Sequence, residues 1–93
     1  MVTEVRASHI LVKTENEAKT VLERINKGES FAKIAMEVSL CPSGKKGGDL
    51  GYFGRGRMVR AFENAAFELE KGKVSLPFKT EFGWHVLKVT DKK

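Results

Sequence analysis

Three side chains in this sequence offer an imidazole or a thiol for proton transfer, nucleophilic attack or metal binding: His9, His85 and the lone Cys41. A thiol beside an imidazole can be an activated nucleophile, but it can equally be a small polar filler. His9, Cys41 and His85 together make a conceivable catalytic-type zinc set, yet the tight ligand spacings of most zinc sites are missing. On its strand alone, His9 reads as a core imidazole with its nitrogens satisfied.

Cys41 opens a dense stretch, CPSGKKGGDLGYFGRGRMVRAF, that runs to Phe62. Its twenty-two positions hold six of the nine glycines, five basic residues, the only cysteine and the only tyrosine. A packed core has no use for that mixture, whereas a site does. Neither G-x-x-x-x-G-K-[ST] nor G-x-G-x-x-G occurs in it, so a phosphate cradle is a poor reading.

The elements that must position these groups follow from periodicity. Residues 2–13 alternate, with Val5, Ala7, His9 and Leu11 on one face and Ile10 and Val12 on the other, as in a strand covered on both sides. Thr14-Glu15-Asn16-Glu17 is a capping box, and Ala18, Val21, Leu22 and Ile25 continue as a helix that Gly28 ends. Phe31, Ile34, Ala35 and Val38 repeat the spacing in a second helix starting at Glu29 or Ser30. Residues 39–49 read as a loop and Leu50–Phe53 as a short strand. Met58 is expected to open a third helix that buries Val59, Phe62, Ala66 and Leu69 and ends near Gly72. Val74–Thr80, interrupted by Pro77, reads as a strand, followed by a turn at 81–84 and a partner strand at His85–Thr90. The order β-α-α-β-α-β-β predicts an α+β domain with a four-stranded, mainly antiparallel sheet surrounded by helices.

Ninety-three residues suffice for one domain, taken as 1–93. No apolar run approaches the roughly 18 residues of a membrane span. The N-terminal residues lack the apolar block of a secretory signal, so the expected location is cytoplasmic. One cysteine forms no internal disulfide. Of the net charge of +5, residues 45–60 carry five cations and one anion, leaving about +1 elsewhere. Lys45, Lys46, Arg55, Arg57 and Arg60 therefore form a local basic patch, which is read first as a solvated loop and second as a contact for acidic peptides or nucleic acid.

Four motifs carry a resemblance: S-H-I-L-V-K at 8–13, G-G-D-L-G-Y-F at 47–53, G-x-M-V-x-x-F at 56–62 and F-G-W-H-V at 82–86. Together they resemble the parvulin family of peptidyl-prolyl cis/trans isomerases, with order and spacing preserved from about Ala7 to Val89. The central loop is most similar to that of small stand-alone bacterial parvulins. The resemblance implies a proline pocket lined by Leu50, Met58 and Phe62 and bordered by Phe82. It also implies a polar floor of His9 and His85, mutually hydrogen-bonded, with Cys41 and Thr80 beside them. The paired arginines of the phosphate-selective branch are absent, since Lys13 leads directly into Thr14-Glu15-Asn16-Glu17. A tryptophan-rich phosphopeptide module is absent too. The implied partners are proline-containing peptides and unfolded proteins, met by a monomer without metal or cofactor. Rotation about an Xaa-Pro bond breaks no bond, so Cys41 is expected to tune electrostatics rather than attack. The alternative is a polypeptide-binding module that does not turn its ligand over.

Overall fold

The computed structural model describes residues 2–93. The alternation at the N-terminus becomes strand β1 (Glu4–Val12), and its two apolar faces are both covered. Helix α1 (Glu15–Asn26) starts on the Thr14 hydroxyl, which accepts the Glu17 N–H at 3.2 Å. Glu17 returns the interaction by accepting the Thr14 hydroxyl, not the backbone N–H that a full capping box uses. Gly28, at φ +98°, ends α1 with the paired 5→2 and 6→1 bonds of a left-handed cap: Gly28 N–H to Ile25 C=O and Glu29 N–H to Arg24 C=O. Helix α2 (Phe31–Val38) follows from the Ser30 cap. Arg24 locks the connection, reaching Glu29 and Glu37 at 2.8 Å each.

The chain continues through β2 (Asp49–Gly54), α3 (Arg60–Glu68), β3 (Phe78–Thr80) and β4 (Gly83–Lys92). The strands form one sheet in the order β2-β1-β4-β3, wholly antiparallel. One face packs Ile10, Val12 and Val86 on α1 and α2. The other packs Val5, Ala7, Leu87 and Val89 on Phe53 and on Phe62 and Ala66 of α3. The expected α+β architecture is the observed one.

Several boundaries differ from expectation. Residues 39–49 are not all loop, because Pro42–Lys46 winds into a 3₁₀ turn, with Pro42 as its first residue where a missing N–H is harmless. Helix α3 begins at Arg60, since Val59 is extended and serves as its cap; Met58 lies outside the helix, on the approach to it. The same helix stops at Glu68, because Leu69 turns extended, and Gly72 belongs to a separate turn whose N–H bonds Val89 C=O. Regular pairing along the third strand waits until Phe78, after Pro77, although Val74 makes an isolated bridge to Lys88.

The segment between α2 and β2 is stitched along β1. Leu40 N–H bonds Leu11 C=O at 2.8 Å, Leu11 N–H bonds the Ser39 hydroxyl at 3.1 Å, and His9 N–H bonds Gly48 C=O at 3.0 Å. Gly48 has φ +86°, and a Cβ there would stand 2.4 Å from the His9 carbonyl oxygen. Both facts demand glycine. Gly48→Ala is therefore expected to destabilise the fold by about 3 kcal/mol or more, through left-handed strain plus a backbone clash. Urea denaturation checks this, and an unchanged midpoint would contradict it. Gly28→Ala, equally left-handed but with nothing within 4 Å of the added carbon, should lose clearly less.

Candidate active site

The sheet register brings the histidines together. His85 of β4 pairs directly with Leu11 of β1, and His9 pairs with Leu87, so the two imidazoles are diagonal neighbours on one face. Both are buried, and their Nδ1 atoms lie 3.1 Å apart. Thr80 Oγ1 is 2.7 Å from His85 Nε2 and also accepts the Phe82 N–H at 3.2 Å. Phe62 sits edge-on to both imidazoles, at centroid distances of 5.3 Å from His9 and 5.5 Å from His85. Phe78 stacks on His85 at 5.2 Å.

Burial, and then the neighbouring His85, hold the His9 imidazole down at about 4 against its usual 6.5. Burial likewise pushes His85 down. The pair is therefore neutral at pH 7, and a single Nδ1 proton lies between the two rings. If His85 supplied it, His9 would carry its own proton on Nε2, which is buried with no partner. If His9 supplies it, His85 is left to donate from Nε2 to Thr80, and the unmatched His9 Nε2 is only a lone pair. A buried orphan donor is the rarer and costlier defect, so hydrogen-bond accounting assigns the order His9 to His85 to Thr80.

Above this pair opens a cleft of about 490 Å³, within the range of small-ligand sites. Its walls gather residues from well-separated parts of the chain: Leu11 from β1, Leu40 and Cys41 after α2, Leu50 from β2, Met58 and Phe62 around α3, and Phe82 from the β3–β4 turn. All eight site residues expected from the sequence converge here. Seven line the cleft; Thr80 does not, and joins the site through His85. Cys41 is on the wall, but its hydrogen bond is from the Ser43 hydroxyl at 3.3 Å, not to an imidazole. Among the described residues no group of three His, Cys, Asp or Glu side chains is placed to hold a metal ion.

Sequence reasoning missed Leu11, Leu40, Pro42, Arg57 and Val59 as wall residues, and Phe78 as the ring behind His85. Strand parity could have supplied two of them, since Leu11 shares a face with His9 and Phe78 with Thr80. The basic patch is divided: Arg57 enters the cleft wall, whereas Arg55 pairs with Glu63 at 3.2 Å and lies 4.3 Å over the Phe67 ring.

A family model described as rotamase, PPIC-type PPIASE domain, matches residues 6–91. The foldase protein PrsA of Geobacillus kaustophilus is 56% identical over 89 residues, which cover 95% of this chain and 32% of that protein. This chain thus spans about a third of the length of the curated relatives it matches. The crystal structure of a peptidylprolyl isomerase, PrsA, from Bacillus anthracis matches with a TM-score of 0.97 at 45% identity, over 99% of this chain and 43% of that one. The parvulin of Nitrosopumilus maritimus matches with a TM-score of 0.89 at 46% identity, over 98% of this chain and 99% of that one.

The depressed His9 value fixes a pH dependence. A base whose folded value lies below its unfolded one binds fewer protons when folded, so its stabilising effect is complete above pH 6.5 and lost as pH falls toward 4. The expected loss across that window is on the order of 3 kcal/mol, with His85 adding in the same direction. Urea midpoints measured between pH 7 and 4 test it, and His9→Asn should flatten the curve. A wild-type midpoint constant over that range would show that the imidazoles are not held neutral by burial.

Proposed function

This chain belongs to the PPIC-type parvulin family of peptidyl-prolyl cis/trans isomerases, and on that premise we propose that it accelerates Xaa-Pro isomerisation in flexible or unfolded polypeptides, without needing a phosphate before the proline, as a folding helper. The observation that carries this reading is the apolar cleft of Leu50, Met58 and Phe62 seated on a buried, neutral His9–His85 pair.

The uncatalysed rotation faces a barrier of about 20 kcal/mol because twisting the amide removes its conjugation. In the twisted state, charge retreats from the carbonyl oxygen toward the prolyl nitrogen, so water, which favours the polar planar amide, retards the reaction. Leu50, Met58 and Phe62 clamp the ring and exclude that water. Neutral imidazoles suit the task better than charged ones, because a buried cation would hold water in the cleft and favour the planar carbonyl. A barrier lowered by about 7 kcal/mol gives roughly 10⁵-fold acceleration, which desolvation plus one or two oriented hydrogen bonds can supply.

The same geometry favours a non-covalent path. A nucleophilic thiol needs a base in hydrogen-bond reach, and Cys41 is engaged with Ser43 instead. A second reading, a binding module without turnover, draws on Leu40 and Phe82, which are 55% and 65% exposed at the rim of the cleft and offer apolar contact to an extended chain. Monomeric, cytoplasmic action completes the proposal; sedimentation and cell fractionation of the full-length protein test it.

Exchange NMR on a proline tetrapeptide separates the readings. Accelerated cis/trans exchange is expected, with Met58→Ala lowering kcat/KM about 10- to 100-fold and Cys41→Ala lowering it less than tenfold while the fold persists. Binding without accelerated exchange would establish the module instead. A trapped covalent adduct on Cys41, together with an inactive but folded Cys41→Ser, would overturn the non-covalent path.

A further inference from the structure

Arg57 is the one cleft-lining residue with a permanent charge, and the clamp and the histidine pair give it no task. Three of the five arginines are committed to carboxylates. Arg6 holds Asp49 at 2.7 Å, Arg24 holds Glu29 and Glu37, and Arg55 holds Glu63. Arg57 makes no salt bridge among the described residues. The acidic residues nearest to it in the chain are both taken: Asp49 by Arg6 and the Gly51 N–H, Glu63 by Arg55 and the Gly56 N–H. The loop that carries Arg57 is thus anchored through its neighbours, and its own guanidinium stays available to whatever enters the cleft.

The surroundings make that charge selective. The walls beside it are Leu50, Met58, Val59 and Phe62, and the cleft contains no carboxylate of its own. Standing at the exposed edge of this cleft, the guanidinium attracts an anion carried in beside the proline and disfavours a cation there. A guanidinium also presents a planar fork that matches a carboxylate in two parallel hydrogen bonds.

Resting on the isomerase reading, we propose that Arg57 selects an acidic residue, aspartate or glutamate, flanking the proline that is isomerised. The proline ring occupies the apolar clamp, and the carboxylate one residue away meets the guanidinium at the wall. Selection acts on binding, so it appears in KM more than in kcat.

The test is exchange NMR, with a binding titration on the same peptides, for a series differing only beside the proline: alanine, glutamate or lysine before it, glutamate after it, and phosphoserine before it. The wild-type chain should favour one of the glutamate peptides over the alanine peptide about tenfold in kcat/KM, the range of a charge-assisted hydrogen bond, and disfavour the lysine peptide. Arg57→Gln should bring the glutamate-to-alanine ratio close to one, Arg57→Lys should restore part of it, and Arg57→Glu should shift preference to the lysine peptide. Equal rates on the alanine and glutamate peptides in the wild type would overturn the Arg57 assignment and leave the isomerase reading standing. A phosphoserine preference well beyond that for glutamate would also overturn it, in favour of a phosphate site. If no peptide exchanges faster, the isomerase reading fails, and the binding titration alone then decides whether Arg57 prefers the acidic ligand.

Discussion

Two imidazoles on adjacent strands, buried and facing each other at 3.1 Å, impose the constraint on which the rest of this structure depends. Both rings are buried, and neither can take a second proton without bringing a cation into an apolar interior. His85 also reaches Thr80, but among the described residues the only side-chain partner of His9 is His85, which requires the two to share one face of the sheet and be offset by one diagonal step. That fixes the register of β1 against β4. A slip of one residue would turn every side chain of one strand to the opposite face, moving an imidazole into the cluster under α1 and α2. The bulge between Arg6 and Ala7, where Thr90 of β4 is the extra residue, lies beyond the histidines, so the ladder around them runs unbroken from Ala7 to Val12.

The cleft walls solve a different problem, since they must place loose segments against a rigid sheet. Backbone bonds do this on one side, where Ser39, Leu40 and Gly48 fasten the α2–β2 connection to β1 and so deliver Cys41 and Pro42 to the rim. On the other side packing does it, because Phe62 is anchored among Phe53, Phe78 and both imidazoles. Phe62 is at once a core residue and a cleft wall. Met58, outside α3 because the helix starts two residues later, packs half-buried against the same cluster through an unbranched, adaptable side chain. A clamp of one fixed and one adaptable side chain suits a ligand that changes shape as it reacts.

Much of this was legible in the sequence, for identifiable reasons. Alternation along β1 gave the facing of His9, and the capping box and Gly28 gave both ends of α1, because these signals are local. The proximity of His9 and His85 is not local. They are 76 residues apart, and only the family resemblance brought them together. The start of α3 was misplaced because Met58 and Val59 fit helical spacing equally well, while the extended backbone at Val59 is set by tertiary packing. Phe78 was overlooked because a three-residue strand beside Pro77 carries too few alternations to read. The availability of Arg57 was invisible in principle, since charge pairing is decided in space; the sequence shows five cations between Lys45 and Arg60 and not which of them already hold a carboxylate.

That last distinction bears on how one cleft can separate turnover from choice. A neutral floor treats every proline amide alike, since an uncharged, desolvated surface acts on the twisted bond and has little to say about neighbouring side chains. A permanent charge on the wall does the reverse, because it acts on the neighbouring residue and contributes little to breaking conjugation. Burial keeps the two apart: the imidazoles are neutral because they are inside, while the permanent charge of Arg57 stands at the exposed edge, where solvent covers it until a ligand arrives. Exchanging their places would fail on both counts, with a buried guanidinium drawing water onto the amide and an exposed imidazole titrating across the working pH. The position of each group in the fold, more than its identity, therefore decides which part of the task it can perform.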